Sequence, residues 1–135
     1  AWDARFKGNL DWNHPWGAVP ANIIPRYLMG VRPLTPGFGR ILVDPSPGSL
    51  SSARGVVPTI RGPVSVAFDN HPGQPFRLDL EIPANTTARV ALPASEGATD
   101  LVEFDGRRVR GRMEDGRIVL DEVGSGSHRF RMIKG

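Results

Sequence analysis

Three indoles and a set of short polar side chains share the first sixteen residues: Trp2, Trp12 and Trp16 stand around Asp11, Asn13 and His14, and the chain has no other tryptophan. A sugar presents an apolar face of C–H groups and a rim of hydroxyls. An indole can lie against the face while Asp, Asn and His hydrogen-bond the rim. The same residues also suit a plainer role, with the tryptophans as core anchors and His14 a satisfied polar group beside a helix start. Residue types alone leave both readings open. Beyond residue 36 nothing comparable occurs. His14, His71 and His128 lie in separate segments without metal-ligand spacing, so no metal is expected. Gly37-Phe38-Gly39 precedes a strand-like run instead of opening a helix, which is not the layout of a phosphate cradle. Ser49-Leu50-Ser51-Ser52 has no adjacent base. The later carboxylates fall in turns or on outer faces of strands, where solvated ion pairs are expected, and the sequence calls for no cofactor.

The residues around His14 must be positioned by a helix. Apolar side chains at positions 16, 19, 23, 24, 27 and 28 follow the three-and-four spacing of one helical face, Asn13 suits the cap, and Gly30 followed by Pro33 suits the stop. Pro20 and Pro25 each remove an intrahelical hydrogen bond, so the spacing predicts a kinked or divided helix that needs tertiary packing to persist.

From Gly39 the hydrophobic period shifts to two. Residues 40–44, 55–60, 64–68, 76–82, 87–92, 101–104, 107–109, 117–120 and 128–133 each read as a strand. The alternation is clearest where Phe76, Leu78, Leu80 and Ile82 oppose Arg77, Asp79 and Glu81. Turn signals at Pro72-Gly73, Asp105-Gly106, Asp115-Gly116 and Gly124-Ser125-Gly126 separate the runs. The expected fold is mainly β: an antiparallel β-sandwich of about seven to nine short strands preceded by one proline-interrupted helix. Residues 1–35 and 36–135 divide as helical segment and sandwich.

Composition agrees with this. Sixteen glycines and thirteen prolines, about a fifth of the 135 residues, leave little room for long helices. No apolar run is long enough to span a bilayer and no signal peptide is visible, so no membrane partner is expected. Seventeen Lys and Arg against fourteen Asp and Glu give a net charge of +3. The one arginine cluster, Arg107, Arg108, Arg110 and Arg112, is broken by Val109 and Gly111 and followed by Glu114 and Asp115. It reads as the solvated side of a hairpin, and no nucleic-acid partner is expected. The absence of cysteine excludes disulfides and thiolate metal sites and leaves the compartment open.

One resemblance adds to these readings. Asn13-His14-Pro15-Trp16-Gly17-Ala18, Pro20, Ile24-Pro25-Arg26-Tyr27-Leu28-Met29-Gly30-Val31-Arg32-Pro33 and Pro36-Gly37-Phe38-Gly39-Arg40-Ile41 resemble, in this order, the end of bacterial α-L-rhamnosidases. There an (S/N)-H-x-W-(G/S) stretch opens the last helix of an (α/α)6 barrel, a G-(I/V)-R-P turn leaves it, and a P-G-(F/Y) stretch leads into a C-terminal β-sandwich. Ala53-Arg54-Gly55, Val57-Pro58-Thr59, Arg61-Gly62-Pro63-Val64, Leu80-Glu81-Ile82-Pro83-Ala84-Asn85-Thr86-Thr87-Ala88 and Val90-Ala91-Leu92-Pro93 continue the match.

The resemblance implies that residues 1–35 are the end of a catalytic barrel, with the rest of that barrel and a terminal L-rhamnose as partners. It implies an inverting glycosidase in which a general acid and a general base flank the scissile bond. The acid of the family lies far upstream, and the base is a glutamate just before a stretch like Ala1-Trp2-Asp3, so no catalytic residue is expected in this chain and it is expected to be inactive alone. By motif position His14 would hydrogen-bond a rhamnose hydroxyl, with Trp2, Trp12, Asn13 and Trp16 as further pocket residues. The competing expectation is a stand-alone accessory sandwich that binds carbohydrate or packs on a partner domain. A bacterial source is implied, in the cytoplasm or outside it.

Overall fold

A computed structural model of the protein describes residues 18–94 and 97–134. Two sheets face each other. The first has the strand order β1 (Val31–Pro33), β2 (Arg40–Val43), β6 (Thr87–Pro93), β10 (Arg117–Val123), β9 (Arg112–Glu114). The second runs β3 (Ser52–Val57), β4 (Val64–Asp69), β5 (Arg77–Ile82), β11 (Gly126–Lys134), β7 (Ala98–Phe104), β8 (Arg107–Arg110). The sandwich expected from the sequence is present. Among the described residues all pairings are antiparallel but one: β2 runs parallel to β6, with Arg40 opposite Thr87 and Val43 opposite Val90.

Two strands join the nine that periodicity identifies. β1 and β9 are three residues each, too short to show an alternation. β8 and β9 come from one arginine-rich stretch that crosses between the sheets at Gly111. A Cβ there would overlap the buried Ile118 side chain, so only glycine lets the chain turn this corner.

Between the sheets lies a single core. Ile41, Val43, Val64, Val66, Leu78, Val90, Leu92, Val102, Ile118 and Phe130 are fully buried, and Phe76, Leu78, Leu80 and Ile82 all face inward as their alternation requires. The Phe130 ring stacks on Phe104 with centroids 4.8 Å apart. Each large side chain removed from water here contributes roughly 1.5–3 kcal/mol.

The helical segment is divided as the prolines demand. An α-helix, α1 (Val19–Ile23), runs directly into a wide π-turn over Ile24–Leu28. Pro25 has no N–H to donate, and the ladder resumes with the wider bond from the Met29 N–H to the Ile24 carbonyl, 2.9 Å. Met29 is buried, with its sulfur 3.1 Å from where a Cβ on Gly55 would stand. It fills the open side of the sandwich beside edge strand β3. Gly30 then turns the chain into β1 at φ +75°, pressed so closely on the backbone of Asp44 and Pro45 that a Cβ would overlap them. The Asp44 N–H donates to the Gly30 carbonyl at 3.0 Å, and its carboxylate is held by Arg32 at 3.1 Å and Arg117 at 3.2 Å. Arg117 also donates to the Pro45 carbonyl at 3.1 Å.

Gly30 and Gly48 separate two costs. Both have positive φ, but a Cβ at Gly48 meets nothing within 4 Å. Gly48→Ala should cost about 1–2 kcal/mol for the left-handed backbone alone. Gly30→Ala carries that cost plus a backbone displacement, and urea titration should show it less stable by at least about 1 kcal/mol more. Equal losses would contradict the close Gly30–Asp44 approach.

Candidate functional site

Trp2, Trp12, Asn13, His14 and Trp16, the candidate sugar contacts, lie outside the described residues. The described chain begins four residues after His14, at Ala18, and the helix there leaves its apolar side uncovered. Val19, Ile23, Ile24 and Tyr27, four of the six apolar positions that define the helical face, are between 45% and 51% exposed. Val19, Ile23 and Tyr27 are spaced four apart and so share one stripe. Only Leu28 and Met29 turn inward to the sandwich core. The Arg32 guanidinium sits 5.8 Å from the Tyr27 ring centroid, which orients the ring without covering it. A five-residue helix with no side-chain cap is marginal on its own. Its apolar stripe faces away from the only core that the described residues build.

A second feature lies on the outer face of the six-stranded sheet. A trough of about 640 Å³ opens where small residues sit in register with acidic ones: Ser65 and Ser127 flank Glu81, and Ala67 pairs with Asp79. Asp79 accepts from the Arg129 Nε at 2.9 Å. At one end, Asp105 accepts from the Arg129 backbone N–H at 2.7 Å and meets His128 Nδ1 at 2.8 Å. His128 Nε2 lies 2.9 Å from the Gly124 carbonyl, which can only accept, so this nitrogen carries a proton. The imidazole, with a ring centroid 5.4 Å from that of Phe104, ties the β7–β8 turn to the β10–β11 turn.

The electrostatics of this trough favour ionised groups. Burial pushes the Asp105 carboxyl up, but hydrogen bonds from His128 and the Arg129 N–H, with their positive charge, more than offset it and hold the pKa below its ordinary value. Hydrogen bonding to Asp79 and its charge hold Arg129 the more firmly protonated, as Glu114 and Asp121 do for Arg112. A carboxylate kept ionised in this way does not donate a proton near neutral pH. The trough offers hydrogen bonds and charge. Among the described residues no group of three or more His, Asp or Glu side chains gathers as a metal site.

Sequence reasoning missed the His128–Asp105 pair. Asp105 reads as a turn residue and His128 as one residue of a strand, twenty-three positions apart. The signal is the register of β11 on β7, Phe130 opposite Phe104, and it exists only once the sheet order is known.

The Asp105 shift has a pH consequence. Because its pKa is lower in the folded chain than in the unfolded one, the folded state binds fewer protons between the two values and stability rises with pH there. The contribution is complete above the ordinary carboxylate value of about 3.9 and disappears as pH falls through the folded value. The stability gap between the wild-type chain and Asp105→Asn should therefore narrow as pH falls from about 5 through the folded value. Urea midpoints across that range check this, and a gap independent of pH would contradict the pairing.

Comparison with known proteins accords with the fold. The family model described as the bacterial alpha-L-rhamnosidase C-terminal domain matches residues 30–103, more than half of the chain, starting at Gly30. No curated protein matches the chain. Among solved structures, the α-L-rhamnosidase from Dictyoglumus thermophilum is 28% identical over 88% of this chain, with a TM-score of 0.77. The Streptomyces avermitilis α-L-rhamnosidase complexed with L-rhamnose is 36% identical over 92%, with a TM-score of 0.73. The Aspergillus terreus α-L-rhamnosidase is 27% identical over 90%, with a TM-score of 0.64. The chain spans only 12–14% of the length of these proteins. With a family match across β1 to β7 and a relative 36% identical over 92% of the chain, the chain belongs to the bacterial α-L-rhamnosidase C-terminal domain family.

Proposed function

We propose that this chain is the C-terminal portion of an α-L-rhamnosidase-like glycoside hydrolase, in which the sandwich holds the last helix of an (α/α)6 catalytic barrel. Residues 1–35 belong to the barrel side of this division and residues 36–135 to the sandwich. β1, within residues 1–35, is hydrogen-bonded into the sandwich sheet and forms the fixed join between the two. The observation that carries this reading is the exposed stripe of Val19, Ile23 and Tyr27 on a helix anchored rigidly through Met29 and Gly30. An independent accessory sandwich has no use for such a face, whereas a barrel helix buries it against its neighbours.

In the whole enzyme, water activated by a general base attacks the anomeric carbon of a terminal α-L-rhamnoside while a general acid protonates the leaving oxygen, with inversion. Both carboxylates come from sequence upstream of this chain. His14 supplies a hydrogen bond to a rhamnose hydroxyl, and Trp2, Trp12, Asn13 and Trp16 form one rim of the pocket.

Two kinetic tests bear on these roles. The 135-residue chain should not hydrolyse an aryl α-L-rhamnoside, and turnover that depends on Asp3 or Asp11 would overturn the assignment of both carboxylates elsewhere. In the longer enzyme, His14→Ala should weaken apparent sugar affinity by about 1–3 kcal/mol, the cost of one lost hydrogen bond to a buried partner. Unchanged kinetics would return His14 to a structural role.

A further inference from the structure

The end of the sandwich opposite the Gly30–Asp44 contact includes three neighbouring loops, residues 34–39, 58–63 and 83–86. In a protein with 23% charged residues, these sixteen positions hold a single charge, Arg61. That charge is exposed but tied to the neighbouring loops. Its Nε donates to the Gly37 carbonyl at 2.7 Å and its Nη1 to the Asn85 carbonyl at 2.8 Å, so one guanidinium joins all three loops. Beside the exposed Thr35, Arg61 and Asn85, the rest of the exposed surface of these loops is apolar: Leu34, Pro36, Pro58, Ile60, Pro63 and Ala84. Ile60 is 82% exposed, the most of any large hydrophobic side chain among the described residues.

This pole is also stiff. Thr59 and Gly62 exchange backbone hydrogen bonds of 3.2 and 3.1 Å across the turn that carries Ile60. The Thr59 hydroxyl donates to the Gly62 carbonyl at 2.6 Å and accepts from the Arg61 N–H at 3.1 Å. Gly62 stands at φ +122° against Pro83, and the Thr86 hydroxyl ties the third loop to the Phe38 carbonyl at 3.3 Å. The outer faces of both sheets, by contrast, carry ion pairs such as Arg129–Asp79 and Arg89–Glu114. An apolar side chain presented on a pre-ordered turn has the character of a binding anchor, because little entropy is lost on docking.

We propose that this pole is a second docking surface, on which Ile60 seats in an apolar recess of another folded domain of the same longer polypeptide. The inference rests on the reading of this chain as part of a multidomain enzyme, since the chain spans only 12–14% of the solved relatives' length and the occupant comes from the remainder. It is distinct from the helix stripe, which lies across β1 at the other end of the sandwich.

Hydroxyl-radical footprinting tests this on the 135-residue chain and on the longer polypeptide that contains it. Labelling of Ile60 and Leu34 should fall several-fold in the longer polypeptide. Ile60→Arg should restore labelling at Leu34 there, leave Ile23 and Tyr27 protected, and leave the urea midpoint of the short chain unchanged. Equal labelling of Ile60 in both chains, with Ile23 and Tyr27 protected, would overturn this inference alone. If neither the pole nor the helix stripe is protected, the multidomain reading falls with it. Concentration-dependent protection of Ile60 in the short chain would make the occupant a second copy and overturn the partner named here.

Discussion

The contact of Gly30 with the backbone of Asp44 and Pro45 is the constraint on which the rest of the arrangement depends. It converts a flexible join between a short helix and a strand into a fixed angle. A residue with a Cβ cannot make this turn at this distance, and Asp44 is itself held by two arginines from β1 and β10. Met29, one residue earlier, is thereby placed against Gly55, and Val31, one residue later, enters the core. The helix is not an appendage whose direction is free. Its apolar stripe points to a definite region of space because three neighbouring residues are locked into the sandwich.

The sandwich itself is organised for support. Its interior is aliphatic with a Phe104–Phe130 stack, and its outer faces are covered by arginine–carboxylate pairs. On the first sheet a bulge in β10, with Glu122 at φ +57°, brings Asp121 and Glu122 within reach of Arg40, while Arg89 and Arg112 share Glu114 and Asp121. Exposed pairs of this kind contribute about 0–1 kcal/mol each, so they keep the surface soluble and in register more than they hold the fold together. The resolved pKa shifts point the same way, since all three favour the charged state.

How much of this is legible in the sequence depends on the range of each interaction. The strand over residues 76–82 can be read directly because its two faces meet different media, core and solvent, and the side chains alternate accordingly. The divided helix is equally legible, since a proline's missing N–H acts locally. β1 and β9 are not, being shorter than the period that would reveal them. The parallel pairing of β2 with β6 and the His128–Asp105 clamp depend on sheet order, which no local pattern encodes. The helical face is the instructive case: periodicity identifies Val19, Ile23, Ile24 and Tyr27 as one apolar side but does not say what covers it, and the sandwich leaves that side open. The candidate sugar-contact residues rest on motif position alone, because they lie outside the described residues.

The central claim is that the first segment of this chain completes a domain other than the sandwich. All three tryptophans lie within the first sixteen residues, so intrinsic tryptophan fluorescence reports on that segment without interference from the rest. The monomeric 135-residue chain should show a red-shifted emission that acrylamide quenches readily. A blue-shifted, quencher-resistant spectrum in the short monomer would contradict the claim.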